Sequence, residues 1–68
     1  MELITTNEAL SELCAELAKQ RYITVDTEFL REKTFWPQVC LIQTAGQEIE
    51  AMIDPLAKGI DLAPFYRL

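Results

Sequence analysis

Tyr22-Ile23-Thr24-Val25-Asp26-Thr27-Glu28-Phe29 is the stretch that decides the fold. Its polarity alternates strictly and it is rich in β-branched and aromatic residues, which is the pattern of a strand. Ile23, Val25, Thr27 and Phe29 share one face; Tyr22, Thr24, Asp26 and Glu28 share the other. Two carboxylates therefore stand at i and i+2 on one face, with Cα atoms about 6.6 Å apart. Oxygens placed this way can converge on metal ions, and paired metals in phosphoryl-transfer sites lie about 3.5–4 Å apart. One ion would generate the attacking hydroxide and the other would stabilise the leaving oxygen. Alone, D-x-E is a weak motif, because two acids on the polar face of a strand are ordinarily just solvated.

On the N-terminal side, Thr5-Thr6-Asn7-Glu8 marks a helix start. Thr5 with Glu8 fits a capping box, and Thr6 fits the cap equally well. From Asn7 to Gln20, Ala9, Leu10, Leu13, Cys14, Leu17 and Ala18 recur at helical spacing and form one apolar stripe. Glu8, Glu12 and Glu16 make a like-charged row that reads as a solvated face, at a cost of a few tenths of a kcal/mol per pair.

On the C-terminal side, a polar link through Leu30-Arg31-Glu32-Lys33 leads to a second strand over about Phe35 to Thr44. Pro37 cannot donate to a ladder, so that strand should begin with a bulge or an unpaired edge. The run Val39 to Ile42 reads as buried on both faces, as in a central strand. Gly46-Gln47 turns the chain into a third strand, in which Ile49, Ala51 and Ile53 alternate with Glu48, Glu50, Met52 and Asp54. The short connections favour an antiparallel meander of the three. Asp61 is a good N-cap for a final helix that tolerates Pro64 in its first turn. Asp54 and Asp61 thus have structural duties and are not ligand candidates.

Composition narrows the chemistry. The 68 residues carry eleven carboxylates against six Lys and Arg, a net charge of −5, and no histidine. That removes the commonest neutral-pH acid/base, the commonest zinc ligand and every nucleophile that relies on an imidazole. Any metal held here would be a hard cation bound by oxygen. An acidic chain repels a phosphate backbone unless bound cations reverse the local sign. Cys14 and Cys40 form no C-x-x-C pair and read as two reduced, buried small hydrophobes. The longest apolar run is far too short for a bilayer and no signal peptide is visible, so the expected setting is cytoplasmic, with no membrane partner.

Ile23-Thr24-Val25-Asp26-Thr27-Glu28-Phe29-Leu30-Arg31-Glu32, continuing through Thr34-Phe35-Trp36-Pro37-Gln38-Val39-Cys40-Leu41-Ile42-Gln43, resembles the first exonuclease motif and following strand of the bacterial ribonuclease D family. Ile4-Thr5-Thr6 with its helix, and Ile53-Asp54-Pro55-Leu56, fit the start of the same domain. The resemblance implies an α/β, ribonuclease H-like exonuclease fold of the DEDD superfamily. Residues 1–68 would be the N-terminal portion of that single domain: a helix, a three-stranded antiparallel meander and the start of a second helix. It also implies 3'-5' hydrolysis of RNA ends such as those of tRNA precursors, releasing nucleoside 5'-monophosphates, with two divalent cations (Mg2+ or Mn2+). Asp26 would bridge both ions, and Glu28 would hold the ion that activates water, near the terminal 3'-hydroxyl. Phe29 would pack near the terminal nucleotide.

The family's two later acidic motifs are missing. Tyr22-Ile23-Thr24-Val25-Asp26 matches the letters of its helical Tyr-x-x-x-Asp, but on a strand those residues stand about 13 Å apart. Arg31 and Lys33 are either phosphate contacts or a solvated turn; Phe35 and Trp36 are either base-stacking platforms or core. Two other functional classes stay open: a DNA-directed proofreading exonuclease of the same superfamily, and a non-catalytic fragment that self-associates through an exposed strand edge.

Overall fold

A computed structural model describes residues 2–30 and 38–68, with Leu30 and Gln38 described by their backbone alone. The order of elements is β1 (Glu2–Ile4), α1 (Asn7–Leu17), β2 (Thr24–Leu30), β3 (Gln38–Ala45), β4 (Glu50–Ile53) and α2 (Ala63–Tyr66). The strands form one mixed sheet in the order β1-β4-β3-β2. The expected antiparallel meander is present as β2, β3 and β4. To it is added β1, which pairs parallel to β4 and sets Ile4 beside Ile53. Three residues are too short to show a period, so this strand was invisible in the sequence pattern.

Thr6, not Thr5, caps α1, and its hydroxyl accepts from the Ala9 amide at 3.2 Å. Glu8 therefore sits one position too early to complete a capping box. Leu10, Leu13, Cys14 and Leu17 bury the predicted stripe against Ile4, Ile42, Ala51 and Ile53, and Phe65 of α2 closes the cluster. The acidic row of α1 is exposed, as expected. Its Glu16 meets Lys19 at 3.3 Å in a solvent-exposed pair of little energetic weight.

Two expectations need correction. β2 begins at Thr24 rather than Tyr22, because its partner Ala45 is the last residue of β3 and Gly46 already turns away. Val39, Cys40 and Leu41 are only half-buried. β3 is central in order, but α1 covers one face of the sheet alone, so Ile42 and Thr44 are its only fully buried described residues. Val25 and Phe29 lie half exposed for a related reason: α1 rests over β1, β4 and β3, and no described side chain of β2 joins the core.

Two side chains tie distant segments together. The Gln20 carbonyl oxygen accepts from the amides of Gln47 (2.9 Å) and Glu48 (3.4 Å), clamping the β3–β4 turn to the end of α1. Gly46 permits that approach, since a Cβ there would stand 2.5 Å from the Gln20 Cγ. Gln20→Ala should speed hydrogen exchange at the Gln47 and Glu48 amides about fivefold, the equivalent of about 1 kcal/mol of hydrogen bonding. Asn7 performs the same service at the other end, donating to the Gly59 carbonyl (2.9 Å) and accepting from the Asp61 amide (2.7 Å). Asp61 in turn accepts from Ala63 at 3.0 Å, so it braces α2 from one residue ahead of the cap position, which Leu62 occupies. Asp54 accepts from the Leu56 amide at 2.9 Å and starts the turn after β4.

Both cysteines are free. Cys14 is buried as expected, and burial pushes its thiol above the ordinary value of 9.0. The folded chain then holds this proton more tightly than the unfolded chain does. Its contribution to stability is intact at neutral pH and is lost as pH rises from 9.0 through the folded value. A urea midpoint followed through that range should fall in the wild type, and the fall should shrink in Cys14→Ala. No described helix is long and apolar enough to cross a membrane.

Candidate metal centre

The site is built from the alternation of β2 and its register with β3. Thr27 pairs with the buried Ile42 and Val25 with the buried Thr44, so these side chains point to the α1 side of the sheet. Asp26 and Glu28 alternate with them and therefore stand together on the opposite, uncovered face. Both are exposed. The Asp26 Oδ1 atom accepts from the Thr27 amide at 3.0 Å, which fixes one edge of that carboxylate.

Across the ladder, Asp26 faces Gln43 and Glu28 faces Leu41. Thr24, Asp26, Gln43 and Glu50 line a shallow depression of about 210 Å³ on this part of the sheet. Gln43 and Glu50 reach it through strand register, which spacing along the sequence does not reveal. Phe29 takes the opposite face from the two carboxylates at the end of β2 and is 50% exposed. Arg31 and Lys33, like Phe35, Trp36 and Pro37, lie outside the described residues.

The donor set is two carboxylates with an amide across the strand, all hard oxygen ligands suited to Mg2+ or Mn2+ rather than to zinc. It is also incomplete. Among the described residues, no group of three or more His, Cys, Asp or Glu lies close enough to hold a metal. Asp26 and Glu28 fit part of a coordination shell.

The family model described as 3'-5' exonuclease matches residues 1–68. The chain belongs to this 3'-5' exonuclease family. Among curated relatives, a ribonuclease D of Sphingobium indicum is 50% identical over 66 residues, covering 97% of this chain and 17% of that protein. A ribonuclease D of Nitrobacter hamburgensis is 50% identical over 68 residues, covering 100% of this chain and 18% of that protein. The chain thus spans about a sixth of the length of the curated relatives it matches.

Among solved structures, Escherichia coli RNase D, described as an exoribonuclease involved in structured RNA processing, superposes with a TM-score of 0.83 at 42% identity. That match covers 94% of this chain and 17% of that one. The Nibbler EXO domain of Aedes aegypti gives a TM-score of 0.80 at 20% identity, over 94% of this chain and 29% of that one, a likeness of fold alone. The mixed sheet with its helix on one face is accordingly part of the exonuclease fold.

Proposed function

We propose that this chain contributes the first pair of metal-binding carboxylates, Asp26 and Glu28, to a divalent-metal-dependent 3'-5' exoribonuclease of the ribonuclease D type. The observation that carries this reading is their position together on the uncovered face of β2, within a chain that matches ribonuclease D relatives along its whole length.

When bound, two ions at such a site would polarise the attacking water and neutralise the leaving oxygen. Asp26 and Glu28 would hold these ions between them, with Glu28 on the side of the attacking water and the terminal 3'-hydroxyl. The water oxygen forms the new bond to phosphorus, the bond to the 3'-oxygen of the preceding nucleotide breaks, and that oxygen takes up a proton. The product is a nucleoside 5'-monophosphate, and the shortened RNA carries a new 3'-hydroxyl. Phe29, half exposed one position past Glu28, lies on the opposite face of the sheet from the two carboxylates and is set aside as a nucleotide contact, while Arg31 and Lys33 would supply positive charge to the RNA backbone. The net charge of −5 on these 68 residues calls for bound cations to draw the RNA backbone to this part of the protein. The fitting substrates are RNA 3' ends such as those of tRNA precursors, met in the cytoplasm.

The test is to incubate the full-length protein with a 5'-labelled, 3'-extended RNA, Mg2+ or Mn2+, and a DNA strand of identical sequence. Stepwise shortening of the RNA from its 3' end is expected, abolished by a chelator and restored by either metal. Internal cleavage, or cleavage that survives chelation, would refute the reading. Equal shortening of the DNA strand would instead favour the proofreading class.

A further inference from the structure

We propose that Cys40 is a positioning residue for Glu28, acting through a β-bulge; this rests on the reading of Asp26 and Glu28 as metal ligands. From Thr24 to Glu28, β2 pairs in regular steps with Ala45 to Leu41. The next step breaks the rule. Phe29 pairs with Val39, so one step of β2 is matched by two steps of β3, and Cys40 is the extra residue. Glu28 is therefore the last regular rung before the bulge. The Cys40 thiol donates to the main-chain carbonyl of Glu28 at 3.5 Å.

The bulge is anchored by packing. In an unbroken ladder Val39 would share the face of Leu41 and Glu28. The extra residue turns Val39 to the face of Phe29, where it packs against the core cluster. Because that burial resists regularising the ladder, the bend is a fixed feature of the strand pair. Bulges sharpen local twist and re-aim the neighbouring side chain. Here the neighbour is Glu28, whose direction relative to Asp26 decides whether their oxygens meet on the same ions. A free thiol donating to the Glu28 carbonyl holds the peptide unit from which that side chain springs. Asp26, two residues earlier in the regular ladder and held by the Thr27 amide, does not depend on it.

The experiment measures Mn2+ binding to the full-length protein directly, by the electron paramagnetic resonance signal of the free ion, alongside RNA cleavage. Partners of ligands ordinarily account for about 10–100-fold in metal affinity or activity, and a weak thiol donor acting through the backbone belongs at or below the lower end. Cys40→Ala should weaken Mn2+ binding about 3–10-fold, with an unchanged KM for RNA. Cys40→Ser, which keeps a donor, should restore binding. In a Glu28→Gln background, Cys40→Ala should add no further loss, because the side chain it positions is already disabled. Cys40→Val, which fills the space without a donor, gives the same readout should the alanine variant fail to fold.

Wild-type Mn2+ binding in Cys40→Ala and Cys40→Val would overturn the proposal. So would an equal loss in Cys40→Ser, or an undiminished loss on top of Glu28→Gln. Asp26→Asn separates the two levels. If it leaves binding and cleavage intact, the ligand assignment itself fails. If it abolishes both while Cys40→Ala changes neither, only the role of the bulge fails.

Discussion

Asp26→Asn lowers 3'-end hydrolysis by the full-length protein about a thousandfold, while its thermal midpoint stays near wild type. The size follows from what the substitution removes. Asparagine has the same shape and still offers one oxygen to the Thr27 amide, so the local geometry at 3.0 Å survives. What disappears is a negative charge at the position assigned to bridge both ions. Metal ions contribute several kcal/mol of transition-state charge stabilisation, and about 4 kcal/mol corresponds to about 10³ in rate. Folding should be indifferent, because Asp26 is exposed and joins no part of the core. Substitutions at such positions ordinarily change stability by less than about 0.5 kcal/mol. Asp54→Asn is the matched control. Its carboxylate accepts from the Leu56 amide and begins a turn, so any loss there should appear in stability and leave metal dependence untouched. Activity of Asp26→Asn within tenfold of wild type would mean that the D-x-E strand is not the metal site.

The carboxylate pair was legible because it needs only a local rule. A period of two decides which residues share a face, whatever lies beyond the strand. The stripe of α1 was legible for the same reason, with a period of 3.6. What the sequence did not disclose depends on partners far along the chain. β1 exists because Glu2–Ile4 finds the free edge of β4, and three residues carry no signal of their own. The exposure of Val25 and Phe29 reflects where α1 lies over the sheet, although their alternation reads as one apolar face. Gln20 and Asn7 are ordinary polar residues in the sequence, yet each holds a turn contributed by another part of the chain. The bulge at Cys40 is likewise a property of the strand pair, and it lies three residues past Pro37, the position at which an irregular strand start was expected. Among the described residues no third ligand-type side chain joins Asp26 and Glu28, so a whole metal site could not be derived from them.

Ile53→Ala is the substitution expected to harm the fold most. Ile53 is 0% exposed. It pairs with Ile4 on one side and Ile42 on the other, so one side chain ties β1, β4 and β3 together beneath α1. Truncating a fully buried isoleucine to alanine loses its transfer free energy and leaves a cavity, typically about 2–5 kcal/mol. Collapse around the gap is restricted here, because the neighbours on both sides are strand residues held by ladder hydrogen bonds, including the Asp54 amide to the Ile4 carbonyl at 2.9 Å. A loss near 4 kcal/mol is a large share of the about 5–15 kcal/mol by which domains are ordinarily stable. Ile53→Val, which removes one methylene, should cost only about 0.5–1.5 kcal/mol. Val25→Ala, on the same face but 52% exposed, should cost less than Ile53→Ala by a wide margin. Urea unfolding of the three variants in the full-length protein checks this order, and a Val25→Ala loss equal to that of Ile53→Ala would contradict it. The two kinds of lesion also separate at the site. Below its unfolding transition, Ile53→Ala should keep the wild-type metal requirement per folded molecule, because Ile53 faces α1 while Asp26 and Glu28 stand on the other side of the sheet.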